Sequence, residues 1–283
     1  MSFYGNQNNP NQGRTAWGGG TRKRNIGGGL IIGVLLAGFA LCKYYSNSQL
    51  NEITGEKQHI SITPEQEVAV GLESTPLMIE QYGGLHPDPA GQKMVKEVGQ
   101  RIVQNSDAKK TPYQYDFHLL ADENIVNAFA LPGGQVFITT ALITQFESED
   151  QLAGVLGHEI GHVVARHGAE RIAKQELTQG LTGAAVIASG DYSTAQAAQM
   201  LASLVNMSYG RDQELESDDL GVRFMTQSGY NPEALISVMD ILEKASGGKS
   251  QPEFMSTHPS PDNRRGRIKE AIEKYKDLAP PVQ

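Results

Sequence analysis

Gly157-His158-Glu159-Ile160-Gly161-His162 decides how the chain is read, because it sets two imidazoles and a carboxylate at helical spacing. Residues four apart on an α-helix are separated by about 40° and ~6 Å, so His158 and His162 project from one face and can grip one ion. Glu159 leans to the side of that face. A zinc ion held there would act as a Lewis acid and acidify a water; Glu159 would take the proton and pass it to a leaving amine. His-Glu-x-x-His on a helix points to zinc hydrolysis for this reason. The flanks agree with a helix: Leu152, Val155, Leu156, Ile160, Val163 and Val164 recur at three- and four-residue spacing. Gly157 and Gly161 each weaken a helix by roughly 1 kcal/mol relative to alanine, which predicts a neighbouring element in close approach.

A catalytic zinc keeps three protein ligands and one open position, so a third donor is required. The metzincin arrangement puts a histidine six residues past the second one, with a glycine midway. Ala165 and Gly168 stand at those places, which excludes it. On a continued helix His167 lies about 140° from His162 and reads as a surface or helix-end residue. The better candidate lies in Tyr209-Gly-Arg-Asp-Gln-Glu214-Leu-Glu-Ser-Asp218-Asp-Leu-Gly221. Glu214, from a second helix, would complete a two-His, one-Glu site. Asp218, one turn on, would accept the free N–H of a ligating imidazole. Glu216 points about 200° from Glu214 and should be solvated. Taken alone the acidic cluster is a charged helix face; the upstream histidines shift the choice to Glu214.

The elements around these helices are announced by their ends. Thr63-Pro-Glu-Gln66 is a cap, a first-turn proline and a capping-box glutamine, and Pro76 should kink or end the helix that follows. Asp88-Pro89 repeats the cap-and-proline signal before a helix to about residue 103. Tyr113, Tyr115, Phe117 and Leu119 alternate with polar residues, giving a strand. Residues 125–131 and 135–139 read as two strands joined through Pro132-Gly-Gly134. They form a plain hairpin, or else Asn127, Ala128, Phe129 and Ala130 supply a cleft edge on which an extended peptide pairs its backbone. Residues 179–205, rich in small side chains, suit helical core with a flexible break, and a lid is the alternative. The expected fold is α+β and mostly helical, a zinc-peptidase domain over 61–283 whose small antiparallel sheet borders the cleft.

With both helices in hand, the chain resembles the HtpX/BepA-type zinc metallopeptidases. These are gluzincins, related to the CaaX prenyl proteases and the mitochondrial Oma-type protease. The resemblance rests on four stretches in the family's order. They are Asn127-Ala-Phe-Ala-Leu-Pro-Gly-Gly-Gln-Val-Phe137, Gly157-His-Glu-Ile-Gly-His-Val-Val-Ala-Arg-His167, Arg211-Asp-Gln-Glu-Leu-Glu-Ser-Asp218 and Ser256-Thr-His-Pro-Ser-Pro261. It implies one zinc per chain on His158, His162 and Glu214, Glu159 as base, and Asp218 behind a ligand. It also favours the cleft-edge reading of residues 127–130. One departure is Ser217, where the family commonly has alanine; both are small, so a local effect is expected. His258, in a Pro-flanked loop, is a candidate oxyanion donor or fourth zinc ligand, with Tyr209 and Arg211 weaker candidates as donor. Arg264, Arg265 and Arg267 read as surface ion-pair residues.

The formal charge of −8 over 283 residues hides a division. Residues 1–50 carry five basic and no acidic side chains, leaving nineteen basic against thirty-two acidic in the remainder, a net −13. That excludes a nucleic-acid binder, which needs a basic face. Cys42 stands alone, so neither a disulfide framework nor a thiolate metal site is expected. Residues 1–25 are Gly/Asn/Gln-rich and should be disordered. Residues 26–42 lack charge, follow Arg22-Lys-Arg24 and precede Lys43. With Tyr44 and Tyr45 they suit one transmembrane anchor over 26–45, basic end in the cytoplasm and acidic domain outside, in the periplasm. A signal peptide cleaved near Gly38-Phe39-Ala40, which would release a secreted domain, is the alternative. Residues 46–60 read as a polar linker. The expectation is a membrane-anchored zinc endopeptidase acting on extended segments of unfolded or damaged envelope proteins. The rival is a peptide-binding chaperone or adaptor that cuts little; Glu159, a base with no use in a pure binder, argues against it.

Overall fold

The computed structural model describes residues 26–189, 209–246, 253–259 and 263–281. The expected tail at 1–25 and the break in the second half of 179–205 lie outside them. Helix α1 (Ile26–Ser46) leads into a hairpin of β1 (Ser48–Leu50) and β2 (Lys57–His59). The stretch 46–60 is therefore structured rather than a plain spacer. Its polar residues have partners: Asn51 Nδ2 donates to the Val164 carbonyl at 2.8 Å, and the Gln58 amide donates to that of Ala165.

Helix α2 (Pro64–Gln81) starts on the expected capping box of Thr63 and Gln66. Pro76 does not end it. The carbonyl that loses its partner belongs to Leu72, which is half exposed, so water can replace the missing N–H. Helix α3 (Pro89–Asn105) is capped by Asp88, which accepts from the N–H groups of Ala90 and Gly91, and it buries Val95, Val98 and Ile102.

Three strands follow, β3 (Asp116–Leu120), β4 (Ala128–Ala130) and β5 (Gln135–Thr139), in the order β3-β5-β4. The α+β class stands, but the sheet is mixed rather than antiparallel. β4 and β5 form the expected hairpin, while β5 runs parallel to β3. The reason is topological. The chain leaves β3, skips one strand position to lay down β4, and returns between them. β5 is buried along its whole length and β4 lies at one edge of the sheet.

After the single-turn α4 (Thr140–Ile143) come α5 (Glu149–Val164), α6 (His167–Ser189), α7 (Arg211–Gln227), α8 (Ala234–Ser246), the short α9 (Glu253–Thr257) and α10 (Arg264–Tyr275). Helix α5, capped by Ser148 and buried from Gln151 to Val164, is the central element. It packs on the sheet, α3 and α8, and most extensively on α7. The glycines explain how close α5 and α7 come. A methyl group on Gly161 would lie 2.9 Å from the Ser217 carbonyl oxygen, and one on Gly221 3.1 Å from the His158 nitrogen. Backbone thus packs on backbone where the two motif helices cross. Gly161→Ala is expected to force them apart, lowering stability by about 1–3 kcal/mol, which thermal and urea unfolding would measure.

Candidate metal centre and its surroundings

Four side chains from three places converge in the core. His158 and His162 come from α5, Glu214 from the first turn of α7, and His258 from the residue after α9; all are buried. One donor atom from each lies within 4.8 Å of all the others. His158 Nε2 is 3.1 Å from His162 Nε2 and 3.3 Å from His258 Nδ1. The Glu214 oxygens lie 3.6 Å, 3.4 Å and 3.1 Å from His158, His162 and His258. Four donors about 2.0–2.1 Å from one ion at tetrahedral angles stand about 3.3–3.4 Å apart. The separations match that edge length. Charge agrees: Glu159, Glu214 and Asp218 are fully buried, and among the described residues the Arg264 guanidinium is buried against two of them. A surplus of carboxylates in a dry core suits a divalent cation. Glu214 Oε2, His258 Nε2 and both Glu159 oxygens also lack a hydrogen-bond partner. These residues fit a zinc ion.

Each α5 imidazole is held from behind. A ring that turns Nε2 toward the cluster as an acceptor carries its proton on Nδ1. His158 Nδ1 faces Asp218 Oδ1 at 2.9 Å, and Arg264 grips that carboxylate through Nε and Nη2 at 2.6 and 2.8 Å. Burial alone would raise the Asp218 carboxyl; Arg264 and the His158 bond bring it below its ordinary range. His162 Nδ1 faces His167 Nδ1 at 2.8 Å, and His167 Nε2 faces Glu216 Oε2 at 3.1 Å. Burial holds the His162 ring well below the ordinary imidazole range, which keeps it neutral and able to bind. Tyr209 stacks on it at 3.7 Å between centroids, and the Arg171 guanidinium lies 3.9 Å from the centroid of the tyrosine ring. Glu159, whose carboxyl burial pushes up, lies 3.6 Å from His258 Nε2.

Three expectations are corrected here. His167 is a helix-end residue but is fully buried, because the helix does not continue. Arg166 adopts φ +56°, a left-handed turn held by Glu67 and the Ile62 carbonyl, and it swings His167 back behind His162. Glu216 is only partly solvated, with a quarter of its side chain exposed; it is the acceptor for His167, and the Ser217 hydroxyl lies 3.3 Å from the same ring. Arg264 is buried against Asp218, whereas Arg265 and Arg267 make surface ion pairs as expected. No spacing rule reaches His167 or Arg264, since one depends on a break and the other on a distant helix. Tyr209 is buried against the cluster, while Arg211 is exposed at the start of α7.

Beside the cluster lies a cavity of about 290 Å³, walled by Met78, Phe129, Ile172, Tyr209 and His258 among others. The outer strand β4 borders it. Asn127 turns its amide to Tyr82 and Glu253, while Phe129 and Ala130 line the space.

The model of peptidase family M48 matches residues 89–272, which contain every donor above. The chain belongs to peptidase family M48. Membership places it among the metallopeptidases. The M48 chain is 30% identical over 199 residues to the beta-barrel assembly-enhancing protease of Escherichia coli (strain K12), covering 66% of this chain and 40% of that protein. It is 30% identical over 247 residues to the mitochondrial metalloendopeptidase OMA1 of Schizosaccharomyces pombe, covering 85% and 71%. The chain spans half or less of the length of the assembly-enhancing proteases of Escherichia coli and Yersinia pestis. In this M48 peptidase, Asp218→Ala and His167→Ala are each expected to weaken zinc binding by about 10–100-fold, since each unties one imidazole. Competition titration against a zinc chelator dye measures both.

Proposed function

We propose that the chain is a membrane-anchored zinc endopeptidase that cuts extended polypeptide segments outside the cytoplasm. The observation that carries this reading is the meeting of His158, His162 and Glu214 beside a buried, unpartnered Glu159. His158, His162 and Glu214 would hold one zinc. Bound zinc would polarise the scissile carbonyl and acidify the attacking water. Glu159 is the proton acceptor and later donor: burial without a hydrogen-bond partner raises its carboxyl toward neutrality, where a group can do both. Asp218 with Arg264, and His167 with Glu216, keep the two imidazoles in one tautomer and orientation.

His258 brings the donors to four, the count of a closed structural site. Opening a position for substrate requires its ring to leave the cluster, and an imidazole at the rim can then donate to the oxyanion. β4 offers its outer edge over Asn127, Ala128, Phe129 and Ala130 to an extended chain, and the neighbouring cavity takes an apolar side chain. Helix α1 has the length and apolarity of one membrane crossing. The basic cluster before it keeps that end in the cytoplasm and sends the acidic domain to the periplasm. Substrates are then unfolded or damaged envelope proteins, in keeping with relatives named for β-barrel assembly.

The test is cleavage of casein by the detergent-solubilised full chain, with and without a chelator. Glu159→Gln is expected to lower the rate by about 10²–10⁴-fold while retaining one zinc per chain. Unchanged cleavage by that variant, or by the chelated protein, would place the chemistry elsewhere. Zinc-loaded unmodified protein that binds casein without cutting it would favour the peptide-binding chaperone.

A further inference from the structure

Helix α1 does not stand apart from the domain: it lies antiparallel along α6. Lys43 Nζ meets Glu176 Oε2 at 2.8 Å, and three residues back on α1 Ala40 meets Gly180, where an added methyl would come within 2.8 Å. Further along, Leu36 shares a cavity wall with Gly183 and Ile187.

The distribution of side-chain size on this pair is the reverse of a water-soluble helix pair. On α1 the covered positions are Gly29, Gly33, Ala37, Ala40 and Tyr44, four or three apart along one face. The large apolar groups point away, with Ile31 63%, Leu35 68% and Phe39 69% exposed. Small residues between helices and large apolar ones outside is how helices pack in lipid, where burying leucine from water drives nothing. In water that exposed apolar surface would be unfavourable.

The charges of both helices stop at one level. On α1 the last charge beside the apolar stretch is Lys43; on α6 it is Glu176, its ion-pair partner. From Leu177 to Ser189 α6 has no charge. Its polar groups in that stretch are largely self-satisfied, Thr178 Oγ1 donating to the Lys174 carbonyl and Thr182 Oγ1 to that of Thr178. Gln179 lies near the charged end, in the cavity wall with Lys43 and Tyr44. Leu181 is exposed on the outer side.

We propose that the second half of α6 is itself embedded in the bilayer beside α1, so that lipid hydrocarbon is the partner of the surface the two helices share. This rests on the reading of α1 as a membrane span. Thirteen uncharged residues reach about 20 Å of the ~30 Å hydrocarbon core, so the described part of α6 enters the membrane from the domain side. The ion pair Lys43–Glu176 then marks the interface. His167, nine residues before Glu176, stands about 14 Å along α6 from that level. The metal centre, reached through His167, is thereby fixed close to the membrane surface. Polypeptides that emerge from or lie on the bilayer are the substrates this placement favours.

The test uses the full chain with Cys42→Ser and one new cysteine at a time, carrying a nitroxide: Leu35→Cys on α1, Leu181→Cys and Gly183→Cys on α6, and Lys93→Cys on the domain surface. Gly183 has open space around it and Lys93 is exposed, so the labels disturb little. Each protein is reconstituted in phosphatidylethanolamine–phosphatidylglycerol vesicles after its casein cleavage is confirmed, and collisions with oxygen and with a water-soluble nickel chelate are measured. The expected result is loss of nickel collisions and gain of oxygen collisions at 181 and 183, as at 35, with 93 open to nickel. Nickel access at 181 and 183 with protection at 35 would overturn the embedding of α6 and leave the anchor standing. Nickel access at all four positions would overturn both.

Discussion

Backbone-to-backbone contact between α5 and α7 is the constraint on which the centre depends. Glu214 can stand 3.4–3.6 Å from the two α5 imidazoles because Gly157, Gly161, Ser217 and Gly221 remove the side chains that would hold the helices apart. Helices separated by ordinary side chains pack 8–10 Å apart. A methyl group on Gly161 or Gly221 would come within 2.9 and 3.1 Å of backbone atoms of the other helix. The glycines lower helix propensity, and the structure accepts that loss in return for proximity between donors.

Such proximity concentrates charge in a dry place, and the surrounding residues answer it. Arg264 neutralises Asp218, which orients His158; Glu216 and His167 orient His162. The two arrangements are alike in logic and differ in origin. One borrows a guanidinium from α10 near the end of the chain. The other turns the chain back at Arg166 immediately after α5. Both leave Nε2 of His158 and His162 facing inward as acceptors, as a bound cation would require.

The same break that delivers His167 also starts α6, and the carbonyls ending α5 are taken by Asn51 and Gln58 from the hairpin that follows α1. The C-terminal end of α5 is therefore tied twice toward the apolar N-terminal helix, once through the hairpin and once through α6 against α1. A connection between α1 and the His/Glu cluster follows from these contacts, and it gives the short polar segment after α1 a structural task that its composition does not reveal.

Local spacing was enough to place the histidine pair on one helical face, Glu159 beside it, the caps at Thr63 and Asp88, and a close neighbour for Gly157 and Gly161. These are properties of a 3.6-residue period and of end groups, and neighbours in sequence decide them. Tertiary structure alone decided the rest. Strand β5 returned between β3 and β4 and made the sheet mixed; Arg166 in a left-handed turn carried a histidine read as a surface or helix-end residue into the core; and Arg264 crossed from another helix to a buried carboxylate. Each of those outcomes depends on which surfaces meet after the chain folds back, and a one-dimensional pattern holds no record of distances between residues a hundred positions apart.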